Sequence, residues 1–156
     1  MSLYTFTVKN VPISGSTART VLEIVAPTAK SRVKEWWAEF NSTNAAYEPV
    51  QVELTRGFVA FTGSAVTPSR YDGSDGVPTV LAYTSMSAAT QEGTVGEAIE
   101  HHNIPPTSGI IKQLPLGQEI QMLPISASTF ASGSFRIRCT APTFTVSGSF
   151  GVLIEE

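Results

Sequence analysis

Cysteine is nearly absent from this chain. Cys139 is the single one among 156 residues, so no internal disulfide can form, and packing and hydrogen bonding must hold the fold. Charge is sparse too: Asp, Glu, Lys and Arg make up 15% of the residues, below the usual quarter. The formal net charge of −3 offers no bulk field to nucleic acid or an anionic membrane. No apolar run approaches the roughly 20 residues that a membrane-spanning helix needs. The opening MSLYTFTVKN has neither the basic nor the apolar stretch of a secretory signal, so synthesis in a cytoplasm is expected. No G-x-S-x-G elbow, phosphate-binding glycine loop or dinucleotide fingerprint occurs, which leaves hydrolase and nucleotide chemistry without a motif.

Ser, Thr, Gly and Pro fill the space that charge vacates, and the apolar residues alternate. From Phe144 they fall on every second position: Phe144, Val146, Phe150, Val152 and Ile154, with Gly148 in step. That period describes a strand with one buried and one wet face. Phe135, Ile137 and Cys139 alternate with Arg136, Arg138 and Thr140 just before it, and TAP at 140–142 reads as the turn of a hairpin-like pair. Tyr4, Phe6 and Val8 repeat the pattern near the N-terminus, SGS at 14–16 reads as a turn, and PVQVELTRG supplies another strand. Short strands with turn signals about every ten residues predict an all-β fold. The expectation is a single-domain antiparallel β-sandwich over residues 1–156, jelly-roll-like, with a long surface loop near 62–79 carrying the turn pairs Asp72-Gly73 and Asp75-Gly76.

One segment gives two signals. In residues 31–42, Val33, Trp36, Trp37 and Phe40 fit a helical stripe, whereas the surroundings favour a strand, which is the reading preferred here.

The candidate sites are few. His101 and His102 are the only histidines; as neighbours on a strand they point to opposite faces and cannot share an ion from one side. Glu97 and Glu100 could add ligands, but no zinc-like spacing supports a metal site, and neither metal nor cofactor is expected. Cys139 shares the apolar face of its strand and reads as packing rather than as a nucleophile. Glu35/Glu39 and Glu97/Glu100 are carboxylate pairs without a spacing that dictates acid–base work. Arg136 and Arg138 share what reads as the outer face of a strand, and are candidates for binding a partner's carboxylate or for guarding an exposed sheet. Trp36 and Trp37, with Tyr47, read as core or interface anchors, with a sugar-stacking platform as the alternative. Glu155 and Glu156 read as a solvated chain end.

The order of three segments, GIIKQLPLGQEIQM, then GSFRIRCTAP, then a long alternating strand closing in FGVLIEE, resembles small proteins encoded among the virion structural genes of tailed bacteriophages. The stretch TARTVLEIVAPTAKSRVKEWWAEFNSTNAAYEPVQVELTR is similar to their opening strands, where the Trp segment is extended. The resemblance implies a virion-associated β-sandwich, a capsid decoration or cement protein or a part of the head–tail apparatus. Its partners would be a major capsid protein or other virion subunit and its own copies, as a dimer or trimer. No catalysis, nucleic acid or membrane enters that picture. The alternative is a carbohydrate- or receptor-binding module of a phage tail, which requires Trp36, Trp37 and Tyr47 to be exposed side by side. A small β-barrel enzyme is a third and weaker reading.

Overall fold

Two strands run most of the length of the molecule: β1, Leu3–Val25, and β10, Ser134–Glu155. They pair antiparallel from Leu3 opposite Glu155 to Val25 opposite Ser134. The computed structural model describes residues 1–28, 30–57, 63–84, 95–124 and 134–156. Between the long strands lie β2 (Ser31–Phe40), β3 (Val50–Gly57), β4 (Ser64–Ala65), β5 (Ser69–Arg70), β6 (Leu81–Thr84), β7 (Val95–Ile104), β8 (Gly109–Gln113) and β9 (Ile120–Met122).

The β1–β10 ribbon bends in the middle. Asn10 and Gly15 take positive φ angles of 56° and 94°, and the ladder jumps from Ile13 opposite Val146 to Gly15 opposite Ala141. Residues 142–145 are skipped in that jump, so Pro142 needs no donor for this ladder. Bulges of this kind sharpen twist and let a strand turn a corner without ending. The two halves of the ribbon then belong to different layers. One layer joins the first half of β1, the second half of β10, β2, and β8 and β9 in series along β2, with β5 on the far side of β1. The other joins the second half of β1, the first half of β10, β3 and β7, with β6 and β4 on the opposite flank.

Side chains meet across the layers. The Trp36 and His102 rings lie 5.3 Å apart, Lys112 Nζ is 2.7 Å from Glu100 Oε1, and Arg56 Nη1 donates to the Gln121 carbonyl at 3.0 Å. The alternation predicted for Val146 to Ile154 supplies one inner face, and Phe135, Ile137 and Cys139 supply the other, all buried. Burial of each large apolar side chain, Phe6, Phe135 and Phe150 among them, contributes about 1.5–3 kcal/mol. The fold is an all-β antiparallel sandwich, jelly-roll-like in that one folded ribbon serves both layers.

Two turn readings change. The TAP segment does not close a hairpin: Thr140 and Ala141 lie within the single strand β10, whose halves pair with β1, β2 and β3 rather than with each other. SGS likewise lies within β1, opposite the same corner. Residues 31–40 are strand, and their helical stripe has a cause. The β2–β10 register slips between Leu153/Ile154 while β2 passes from Glu35 to Val33, so Lys34 is an extra residue. That bulge puts Val33 and Trp36 on the same buried face three positions apart, imitating a helix repeat.

Residues 63–79 are tied to β6, to β1 and to Glu156 in turn; Thr62 of the expected loop is outside the described residues. Ser69 and Arg70 pair with Thr5 and Tyr4, the Tyr4 hydroxyl donates to the Gly76 carbonyl at 3.1 Å, and Ser2 Oγ donates to Asp75 Oδ1 at 2.8 Å. Glu155 and Glu156 are not a solvated tail. Glu155 lies 3.5 Å from Arg32 and 3.3 Å from Lys34, and Glu156 accepts from the Thr79 amide and hydroxyl.

Candidate interaction site

The strand carrying Arg136 and Arg138 puts both on the face opposite Phe135, as alternation requires, but that face is not open. Arg136 is fully buried, with Nε 2.8 Å from Glu23 Oε1, whose side chain is buried as well. Gly57 makes room for it: a Cβ there would fall 2.6 Å from Arg136 Nε and against Ser134 Oγ. Arg138 Nη1 lies 2.6 Å from Glu53 Oε2, and Nη2 donates to the Ala18 carbonyl at 3.0 Å. The expectation of two exposed arginines is therefore corrected. Both guanidinium groups brace β10 against its neighbours, because an arginine that leaves water needs a carboxylate at hand.

Trp36 and Trp37 separate just as sharply. Trp36 faces the core, fully buried beside His102. Trp37 faces outward, half-buried, and its indole lies over Gly151, where a Cβ would collide with the ring. Tyr47 is elsewhere, stacked on Phe144 with ring centroids 4.4 Å apart. The three rings form no side-by-side platform, so the geometry required for the sugar-stacking reading is not met.

The histidines diverge. His101 is exposed, 3.8 Å from Glu53, while His102 turns toward the other layer, 3.0 Å from Glu100 Oε2. Burial alone would raise the Glu100 carboxyl, but hydrogen bonds from Lys112 and His102 outweigh it and hold the group below its ordinary value. The Glu100–Lys112 and His102–Trp36 contacts tie the rim of one layer to the other. Glu97 is exposed on the same strand, and Glu35 and Glu39 flank Trp37 on the outward face of β2. Cys139 is fully buried, and burial first, then the Glu53 carboxylate, pushes its thiol well above the ordinary range.

Exposed apolar side chains gather along the β8–β9 edge. Ile111 is 73% exposed, Leu116 88% and Leu123 43%. Leu116 sits at the tip of a turn closed by the Gln118 amide donating to the Pro115 carbonyl at 2.8 Å, with Gly117 at φ 87°. The turn is anchored rather than loose. Lys34, displaced by its bulge, reaches Glu119 Oε1 at 2.8 Å, and Glu119 Oε2 accepts from the Gly117 amide at 2.7 Å. Those bonds, Lys34's first, pull the Glu119 carboxyl down to about 2. The arrangement holds a leucine into water on a braced support, on the same edge where Ile111 pairs with Trp37 across β2 and β8. Sequence reading missed this edge because GIIKQLPLG gives no period: Ile110 packs against the core and Ile111 points away from it.

No protein-family model matches the chain, and no curated protein matches it. A solved structure of Cocksfoot mottle virus aligns over 97% of this chain and 91% of that one, with 9% sequence identity and a TM-score of 0.33, a likeness too distant to carry an argument.

Proposed function

We propose that the chain is a non-enzymatic structural subunit of a virion, a decoration or cement protein that docks on a capsid lattice and on its own copies. The observation that carries docking is the set of exposed apolar side chains on the β8–β9 edge: Ile111, opposite Trp37, and Leu116 and Leu123 further along it. Apolar groups held in water by a braced turn gain free energy when a partner covers them. The virion setting rests on the likeness of GSFRIRCTAP, PLGQEI and the closing strand to phage structural proteins. The ion pairs Arg136–Glu23 and Arg138–Glu53 tie β10 to β1 and β3 in the layer opposite the docking edge. Repetition on a lattice lets weak single contacts add up. The test is mass spectrometry on gradient-purified phage particles from a lysate that produces the chain. A fixed ratio to the major capsid protein is expected; recovery only at the top of the gradient contradicts the proposal.

A further inference from the structure

Among the described residues, strand β8 is an open edge of an unguarded kind. It pairs with β2 in unbroken register from Gly109 opposite Glu39 to Gln113 opposite Glu35. Among the described residues no other strand pairs with it. The flanking hydrogen bonds fix which groups face outward. The Phe40 amide donates to the Ser108 carbonyl at 2.9 Å and the Leu114 amide to the Lys34 carbonyl at 2.8 Å, and both fall in the same register as Lys112 opposite Trp36. In an antiparallel ladder such pairs alternate, so Ile110 and Lys112 direct their N–H and C=O at β2. Gly109, Ile111 and Gln113 direct theirs away from it, at whatever lies beyond the edge.

Edge strands are usually blunted by proline, outward charge or a bulge. The edge of the other layer has such guards: β7 carries two register shifts against β3, and Glu97 and His101 are exposed on it. Strand β8 has none from Gly109 to Gln113. Its single charge, Lys112, is engaged with Glu100 across the layers, and the residue at its centre is an isoleucine 73% exposed.

We infer that β8 pairs antiparallel with β8 of a second copy about a two-fold axis through Ile111. The outward-facing groups belong to alternate residues and are symmetric about that position. Ile111 then faces its own mate, and Gly109 faces Gln113 in both directions, with on the order of six main-chain hydrogen bonds between the copies. Lys112 falls opposite Ile110, so no like charges are opposed. On the outer face the side chains form one row, Trp37, Ile111, Ile111 and Trp37, running across the joint. This names the self-partner of the β8–β9 edge and rests on the docking reading of that edge, but not on the virion setting.

Sedimentation velocity on the purified chain at micromolar concentration should give the mass of two chains. Ile111→Lys should shift it to one. Ile111→Pro should do the same, because the amide it removes is not used by β2. Leu81→Lys, an exposed apolar position on β6, should remain a pair. Circular dichroism establishes that each variant is folded; if Ile111→Pro does not fold, Ile111→Lys decides alone. A single-chain mass for the parent overturns the inference, and so does a pair that survives Ile111→Lys. If the parent is a pair yet is absent from purified particles, the virion proposal fails and this one stands.

Discussion

Gly15 and Ala141 face each other across the β1–β10 ladder at the corner where both long strands change layers. Each belongs to a segment, SGS or TAP, whose composition signals a turn. Because the two signals fall opposite one another, the ribbon folds there as a unit instead of ending, and the sandwich gains both layers from one pair of strands. Gly15, at φ 94°, is in the backbone region where a side chain is strained. Gly15→Val is expected to destabilise by about 1–2 kcal/mol, read as a lower denaturant midpoint with an unchanged slope. No change in the midpoint would mean that the corner does not require this conformation.

The buried ion pair makes the second prediction. Removing one member, as in Arg136→Met, leaves Glu23 charged in the interior and should cost about 3–5 kcal/mol. Glu23→Leu combined with Arg136→Met should restore much of that loss, since matched apolar replacement of both partners is tolerated. Chemical denaturation of the two single variants and the double variant measures it. Additive losses would show that the pair does not act as a unit.

Acid should weaken the turn that carries Leu116. The Glu119 carboxyl is lowered from the ordinary 4.5 to about 2, with the Lys34 hydrogen bond as the first cause. A folded-state value below the unfolded one means that the contribution is fully present above about pH 4.5 and is lost as the pH falls toward 2. Lys34→Met should lower the melting temperature at neutral pH and flatten its decline across that window. An equally steep decline in the variant would assign the acid sensitivity to other carboxylates.

The two tryptophans should report separately. Gly151→Ala forces the outward Trp37 ring off its seat while Trp36 stays enclosed. The expected signal is a red shift and stronger iodide quenching of one of two emitting populations, with little loss of secondary structure. Unchanged quenching would place the Trp37 ring elsewhere than on Gly151.

Much of the fold was legible because alternation fixes which residues share a face. Val146, Phe150, Val152 and Ile154 point inward together, and so do Phe135, Ile137 and Cys139. What alternation cannot report is whether the opposite face is covered. Arg136 and Arg138 were on the predicted side of their strand, yet there they are withdrawn from water and bonded to groups that include Glu23, Glu53 and the Ala18 carbonyl, contributed by strands far away in sequence. The Lys34 bulge made β2 look partly helical, since one inserted residue turns a two-residue repeat into a spacing of three. The β8–β9 edge was hidden for a related reason. Ile110 and Ile111 read as one apolar run, and only the ladder to β2 shows that one is inside and the other on an open edge.

The most direct measurement is add-back to particles assembled without the chain. Purified parent protein should bind them saturably and remain bound through a gradient. A variant carrying Leu116→Asp and Leu123→Asp should be folded and should bind at least tenfold more weakly, which is about 1.4 kcal/mol. Absence of saturable binding by the parent, or equal binding by the variant, would contradict a subunit that docks through its β8–β9 edge.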